Sequence, residues 1–248
     1  MTRHVARPLS LRLLGGFAVQ GPDGFVALPT SAQRVVAYLA LQDRPVQRTR
    51  LAGALWPSTT DGQAGANLRS ALWRTRKVAP LIGDDHSGLT LSPGVDVDAR
   101  WLRNRTEDAV LAQIRGAPNG VSFDLELLPD WYDDWVIAER ERFRQMLLRT
   151  FASLVPRLVS RGRADEAIDV GLHAVRLEPL SETSHQALIA AYLAAGDRGG
   201  ALRQFDEHVT LLREELGLAP ADATVALVRH LLPRPSRRSR PATLSRRG

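Results

Sequence analysis

Between Gln63 and Lys77 the chain places small apolar residues and arginine or amide side chains at helical spacing. At 3.6 residues per turn, Ala64, Leu68, Ala71, Leu72 and Thr75 share one face. The opposite face presents Gln63, Asn67, Ser70, Trp73, Arg74 and Lys77, with Arg69 and Arg76 on its flanks. Such a division suits a helix that docks by its leucines and offers planar hydrogen-bond donors outward. In a DNA major groove, arginine can bond guanine bidentately and asparagine can bond adenine. Flanking arginines are better placed for phosphates, which fix register without reading sequence. An ordinary amphipathic helix with a solvated charged face has the same pattern, and position decides between the two: this is the third helix, directly before a β-hairpin. Arg48, Thr49 and Arg50, at the start of the preceding helix, could hold a phosphate through backbone N–H groups, the helix dipole and side chains. His86 and Ser87 could approach the DNA backbone or minor groove. For these five residues plain surface is the alternative.

The elements that must position these groups are legible nearby. Leu9, Leu11 and Leu13 alternate with outward positions, Phe17 and Val19 continue, and Gly21-Pro22-Asp23-Gly24 turns into Phe25–Leu28, which reads as β-structure. A helix follows, with Thr30 and Gln33 as an expected capping box and Val35, Val36, Leu39 and Ala40 as its buried stripe. A second short helix begins at about Thr49, buries Leu51, Leu55 and Trp56, and stops at Pro57. The third spans about 61 to 78. Leu89–Leu91, Ser92-Pro93-Gly94 and Val95–Val97 are expected to form a hairpin. Strands, three short helices and a terminal hairpin within a hundred residues make a winged helix-turn-helix.

From Asp98 onward the period is helical. A segment from Ala99 to about Ile114 leads into a loop at Gly116–Gly120, and a long stretch runs from Trp131 through Arg161. Pro156 within it predicts a kink or break. A shift of 34 residues aligns Leu154 with Leu188, Leu158 with Tyr192, Gly162 with Gly196 and Ala167 with Ala201. It also aligns Ile168 with Leu202, Val175 with Val209 and Leu177 with Leu211. Thirty-four is the length of a tetratricopeptide unit. The expected fold is mainly α with small β: residues 1–98 a winged helix, 99–232 an all-helical tetratricopeptide-like domain, and 233–248 a disordered basic tail.

Charge follows this division. Residues 1–98 carry eleven basic and seven acidic side chains, 99–232 sixteen and twenty, and 233–248 six arginines with no acid. A basic front suits a polyanion and an acidic middle another partner. Cysteine is absent, which excludes disulfides and thiolate metal sites and favours a reducing compartment. No signal peptide is read at Met1–Pro8, and no apolar run reaches the roughly 20 residues that cross a bilayer. A cytoplasmic protein without membrane association is expected.

Enzyme signatures are missing. The chain has no phosphate loop ending in Gly-Lys-Ser/Thr, no His-Glu-x-x-His and no Gly-x-Ser-x-Gly. His173, His185, His208 and His230 match no metal spacing. Asp133-Asp134, Asp165-Glu166 and Glu214-Glu215 are consecutive pairs, which splay around a helix. Trp131, Tyr132 and Trp135 could stack bases, but their spacing and acidic neighbours favour a buried junction. The reading is a non-enzyme with no cofactor.

Two motifs then become specific. Arg50-Leu51, Ala54-Leu55-Trp56-Pro57, Ala66-Asn67-Leu68-Arg69-Ser70-Ala71-Leu72-Trp73-Arg74 and Gly88-Leu89-Thr90-Leu91 resemble the DNA-binding domain of the Streptomyces antibiotic regulatory protein (SARP) family. Leu127-Leu128-Pro129-Asp130-Trp131-Tyr132-Asp133-Asp134-Trp135 with Glu139-Arg140-Glu141-Arg142 is similar to the start of that family's bacterial transcriptional activation domain. The likeness covers about residues 9 to 230. It implies an OmpR-type winged helix that binds direct repeats in double-stranded promoter DNA, self-associates on tandem repeats and helps recruit RNA polymerase holoenzyme. Its implied targets are secondary-metabolite genes. By similarity Arg74 corresponds to a base-reading arginine and Arg76 to a phosphate-contacting one. Pro156 departs from the family's unbroken helix, and the ATPase and sensor modules of its large members are absent. The alternative is a tetratricopeptide-type adaptor for a protein partner.

Overall fold

Alternating leucines at the start of the chain predict a strand with one buried face, and that face anchors the first sheet. The computed structural model describes residues 9–103, 111 and 126–232. Two compact units divide between Phe151 and Ala152. The first therefore extends well past the change of period at 98.

In the first unit, β1 (Leu9–Arg12), β2 (Ala18–Gly21) and β3 (Gly24–Phe25) form an antiparallel meander. Leu11, Leu13 and Val19 are buried from it. Helix α1 (Thr30–Leu41) follows, with eight buried residues that include Val35, Val36 and Leu39. Its expected capping box does not form. Thr30 already lies inside the helix, Pro29 holds the cap position, and Gln33 turns its Nε2 back to the Leu28 carbonyl at 2.8 Å. Proline has neither a side-chain acceptor nor a backbone N–H, so neither bond of a capping box can form with Pro29 at that position. Helix α2 (Arg48–Leu55) and helix α3 (Asp61–Val78) come next. Here the capping box is real: Thr60 accepts from the Gln63 N–H, and the Gln63 side chain accepts from the Thr60 N–H.

The hairpin differs from expectation. Strand β5 (Gly88–Leu91) pairs antiparallel with β4 (Ile82–Asp85), not with the segment after Ser92-Pro93-Gly94. Asp85 sets the turn by accepting from the Ser87 N–H at 2.8 Å, and Gly88 supplies a φ of +131°. Ser92-Pro93-Gly94 instead carries the chain to the first sheet. There β6 (Val95–Val97) lies parallel to β1, giving the order β3-β2-β1-β6. His86 and Ser87 therefore form the wing's turn and do not precede it.

After β6 the Asp98 carboxylate accepts from the backbone N–H groups of Leu13 and Leu14, 2.9–3.0 Å away, and opens helix α4 (Asp98–Arg103). Burial nevertheless pushes its carboxyl above the usual range. Arg100 closes the end of α1 by donating to the carbonyls of Leu39, Ala40 and Gln42. The rest of the expected Ala99–Ile114 helix beyond Arg103, Leu111 apart, lies outside the described residues, as do the Gly116–Gly120 loop, Met1–Pro8 and the basic tail.

Residues 126–128 return to the N-terminal sheet. Gly15 N–H donates to Glu126 O, and Leu128 N–H donates to Leu13 O, both at 2.9 Å. Helix α5 (Asp134–Ser160) then starts three residues later than expected and continues through Pro156 without a break. The proline removes only the bond that would reach the carbonyl of Ala152, an exposed residue. Water can serve an exposed carbonyl, so the last turn tolerates the loss.

The second unit stacks α6 (Ala164–Leu177), α7 (Glu182–Ala194), α8 (Arg198–Leu216) and α9 (Asp222–Val228). The 34-residue repeat is physical. Arg163 N–H reaches Leu158 O and Gly162 N–H reaches Val159 O; one repeat later, Asp197 N–H reaches Tyr192 O and Gly196 N–H reaches Leu193 O. Gly162 and Gly196 have φ of +73° and +78°, the left-handed cap of a Schellman motif. The core of the second repeat is Ile189, Ala201, Phe205 and Val228.

Candidate nucleic-acid interface

Helix α3 divides as its spacing predicts: Ala64, Leu68, Ala71, Leu72 and Thr75 are buried. Thr75 satisfies its hydroxyl on the Ala71 carbonyl, 2.9 Å away. Gln63, Asn67, Arg69, Ser70, Trp73, Arg74, Arg76 and Lys77 are all exposed. The side chains of Asn67, Ser70 and Arg74 make no hydrogen bond or ion pair among the described residues, so their donors are open. Gln63 is partly committed to the cap of its own helix. Trp73 is 63% exposed, and the Lys77 ammonium lies 5.3 Å from its ring centroid. That cation-on-ring contact keeps both side chains on the outer face.

Helix α2 is fixed against the wing by backbone. Val46 and Leu89 exchange N–H···O bonds in both directions at 2.9 Å, and Gln47 Nε2 donates to Ser87 O at 3.0 Å. Gly88 permits this approach, because a Cβ there would lie 2.6 Å from the Val46 carbonyl oxygen. Arg48, Thr49 and Arg50 thus begin α2 beside the wing turn, and all three are exposed, as is His86. One first turn of a helix, the outer face of α3 and the hairpin tip are brought together in one unit. Ser87 is held at that tip by its bonds to Asp85, whose carboxyl these same bonds lower below the usual range.

Sequence reasoning missed Asp84. Its carboxylate accepts from Arg48 of α2 and from Arg76 of α3, the latter at 2.7 Å. The signal was available in Asp85-His86-Ser87-Gly88, a turn flanked by residues that can pair as 82–85 with 88–91. Drawing the hairpin one arm too late placed Asp84 outside the wing.

The aromatic cluster is mostly packed. Trp131 stacks on Phe17 with centroids 5.8 Å apart, and Trp135 meets Trp131 edge-on at 6.2 Å. Tyr132 departs from the expected buried junction and is 79% exposed. Arg140 gathers this segment by donating to the carbonyls of Leu127, Leu128 and Trp131.

Of the histidines, His185 is satisfied by Pro179 O and Gln204 Nε2. His208 is fully buried with neither ring nitrogen hydrogen-bonded. Among the described residues no three His, Asp or Glu side chains form a metal-holding group, and no helix is long and apolar enough to cross a membrane.

Residues 122–232 match the sequence model of the bacterial transcriptional activator domain. The chain is similar in fold to a solved structure of Mycobacterium tuberculosis EmbR in complex with a low-affinity phosphopeptide, with a TM-score of 0.67 and 22% identity. The alignment covers 90% of this chain but 65% of that one, so this chain spans less than two-thirds of that protein's length. No curated protein matches in sequence.

Proposed function

We propose that the chain is a SARP-type regulator, a winged helix followed by a bacterial transcriptional activator domain, and that it activates transcription by sequence-specific binding to promoter DNA. The match of residues 122–232 to that domain's model and the likeness in fold to EmbR support this. The observation that carries the reading is the free outer face of α3, where Asn67, Ser70 and Arg74 keep their donors open while the leucines behind them are buried. Asn67 and Arg74 read base edges in the major groove, with Gln63, Ser70 and Trp73 beside them. Arg48, Thr49, Arg50, Arg69, Arg76 and Lys77 take phosphates, and His86 carries the wing tip to the neighbouring backbone.

In this division of labour residues 1–98 hold the DNA, 99–232 contact RNA polymerase holoenzyme, and the arginines of 233–248 add sequence-independent attraction to phosphate. The protein works in the cytoplasm without cofactor or catalysis. Its binding sites are direct repeats occupied by two or more copies head to tail, in the promoters of secondary-metabolite genes. Footprinting on the promoters neighbouring the gene tests this. The expected result is protection of tandem sites spaced by about one helical turn of DNA, 10–10.5 bp, or a multiple of it. Absence of any protected promoter at physiological salt would overturn the proposal.

A further inference from the structure

One carboxylate ties together three elements of the winged helix. Asp84 sits on β4, Arg48 at the first residue of α2, and Arg76 in the last turn of α3, and both guanidinium groups donate to the same Asp84 oxygen. The strand that carries Asp84 is held independently of the arginines. It pairs with β5 through four residues, and β5 is bonded in turn to Val46. Asp84 is therefore a fixed post to which two long side chains are moored. The moorings do not bury them: the Arg48 and Arg76 side chains stay 49% and 48% exposed, against 27% for Asp84.

A guanidinium has five N–H donors in a rigid fork, so one bond to Asp84 leaves the others free for a second anion. Two opposed consequences follow. The negative charge lowers the attraction of this corner for any polyanion, because three charged groups sum to only one positive charge. The mooring removes rotamer freedom before binding, so the remaining donors face one spacing of phosphates and not others. The first effect weakens sequence-independent binding and the second favours a duplex of fitted register. We propose that Asp84 is a positioning residue that sharpens discrimination between fitted and arbitrary duplex DNA by holding Arg48 and Arg76. This rests on the DNA-binding reading above.

The test compares wild type with Asp84→Ala, which removes the acceptor that both guanidinium groups share while leaving the backbone pairing of the strand in place, on two probes. One is a mixed-sequence 40-bp duplex; the other is a duplex enriched by the wild-type protein from a random-sequence pool. The variant is expected to bind the mixed duplex as tightly as wild type or more tightly, while the ratio of enriched to mixed affinity falls about ten-fold, the size of one lost base-pair match. A merely structural role would weaken both probes together, and a role as bulk charge alone would tighten both with the ratio intact. Either result overturns the proposal while leaving DNA binding in place. If wild type itself shows no salt-dependent binding to either duplex, the DNA-binding reading fails and this inference with it.

Discussion

Trp135, one residue into helix α5, stands edge-on to Tyr38 of α1, with ring centroids 5.2 Å apart and planes at 61°. Beside this contact, Arg34 of α1 donates to the Leu55 carbonyl at 2.6 Å and to the Asp133 carboxylate. The motif that resembles the start of the activation domain is thus packed on the scaffold of the winged helix within the first unit. Its aromatic and acidic residues meet partners nearly a hundred positions earlier in the chain.

Arg34→Ala should destabilise the first unit by about 2 kcal/mol, because it strands a carbonyl and a part-buried carboxylate at once. Urea unfolding followed by tryptophan fluorescence reads the loss directly, since Trp56, Trp131 and Trp135 all lie near the missing guanidinium or its partners. A change below about 0.5 kcal/mol, the scale of a surface substitution, would show that the pair contributes nothing to holding the segment.

Gly88→Ala should cost at least about 2 kcal/mol. Its φ of +131° is costly for any side chain, and the added methyl would meet the Val46 backbone, which cannot swing aside as a side chain can. The same substitution should weaken DNA binding, since it separates the wing from the start of α2. A melting temperature equal to wild type would mean that Val46 and Leu89 are not bonded as described.

Acid should weaken the second unit. The rings of His185 and His208 stack with centroids 4.0 Å apart, and burial lowers the pKa of both below the usual imidazole range. His185 lowers His208 further, while Glu182, whose Oε1 lies 4.0 Å from His208 Nε2, opposes the shift of both rings, and Glu207 and the Pro179 carbonyl oppose that of His185, each only partly. Of the other side chains around them, Thr224 of α9 and Gln204 of α8 are uncharged, and Glu207 of α8 is the further carboxylate that acts on His185. Because the folded pKa values are depressed, the unfolded chain takes up protons first as pH falls through about 6.5. Stability contributed by the neutral rings is therefore present above that pH and is lost below it. Glu182 acts in the same direction: the Thr224 hydroxyl holds its carboxyl below the usual range, so its share is lost at still lower pH. Urea unfolding at pH 7.5 and 5.5 should show the drop, and His208→Leu should flatten it, by up to about 1.4 kcal/mol per pH unit for one proton. An unchanged slope in the variant would exclude His208 as a source.

What could be read beforehand was local periodicity. The α3 bounds, the division of its faces and the 34-residue repeat all follow from spacing within one element or between adjacent ones. Gly162 and Gly196 made the repeat visible because a left-handed helix end leaves few other choices. The errors fall where a long-range partner decides. Val95–Val97 alternates like a hairpin arm, yet its partner is β1, more than eighty residues earlier and parallel. Thr30 and Gln33 have the letters of a capping box, but Pro29 fixes the helix start one residue earlier. Asp84 was invisible as a link because its two arginines come from different helices. His208 has the spacing of any helical histidine, and only packing shows it buried with neither ring nitrogen hydrogen-bonded.

DNA binding as proposed requires the Arg74 face of α3 to enter a duplex. The most direct measurement is the affinity of wild type and Arg74→Ala for an enriched duplex and its single-base variants across a range of salt. Wild-type log K should fall with log salt by roughly 0.9 for each phosphate neutralised. Arg74→Ala should cost about 1–3 kcal/mol and relax selectivity at one base position, with the salt slope little changed. Binding indifferent to both salt and the substitution would show that α3 does not enter the duplex and leave the helical repeats, as a protein-binding scaffold, to carry the function.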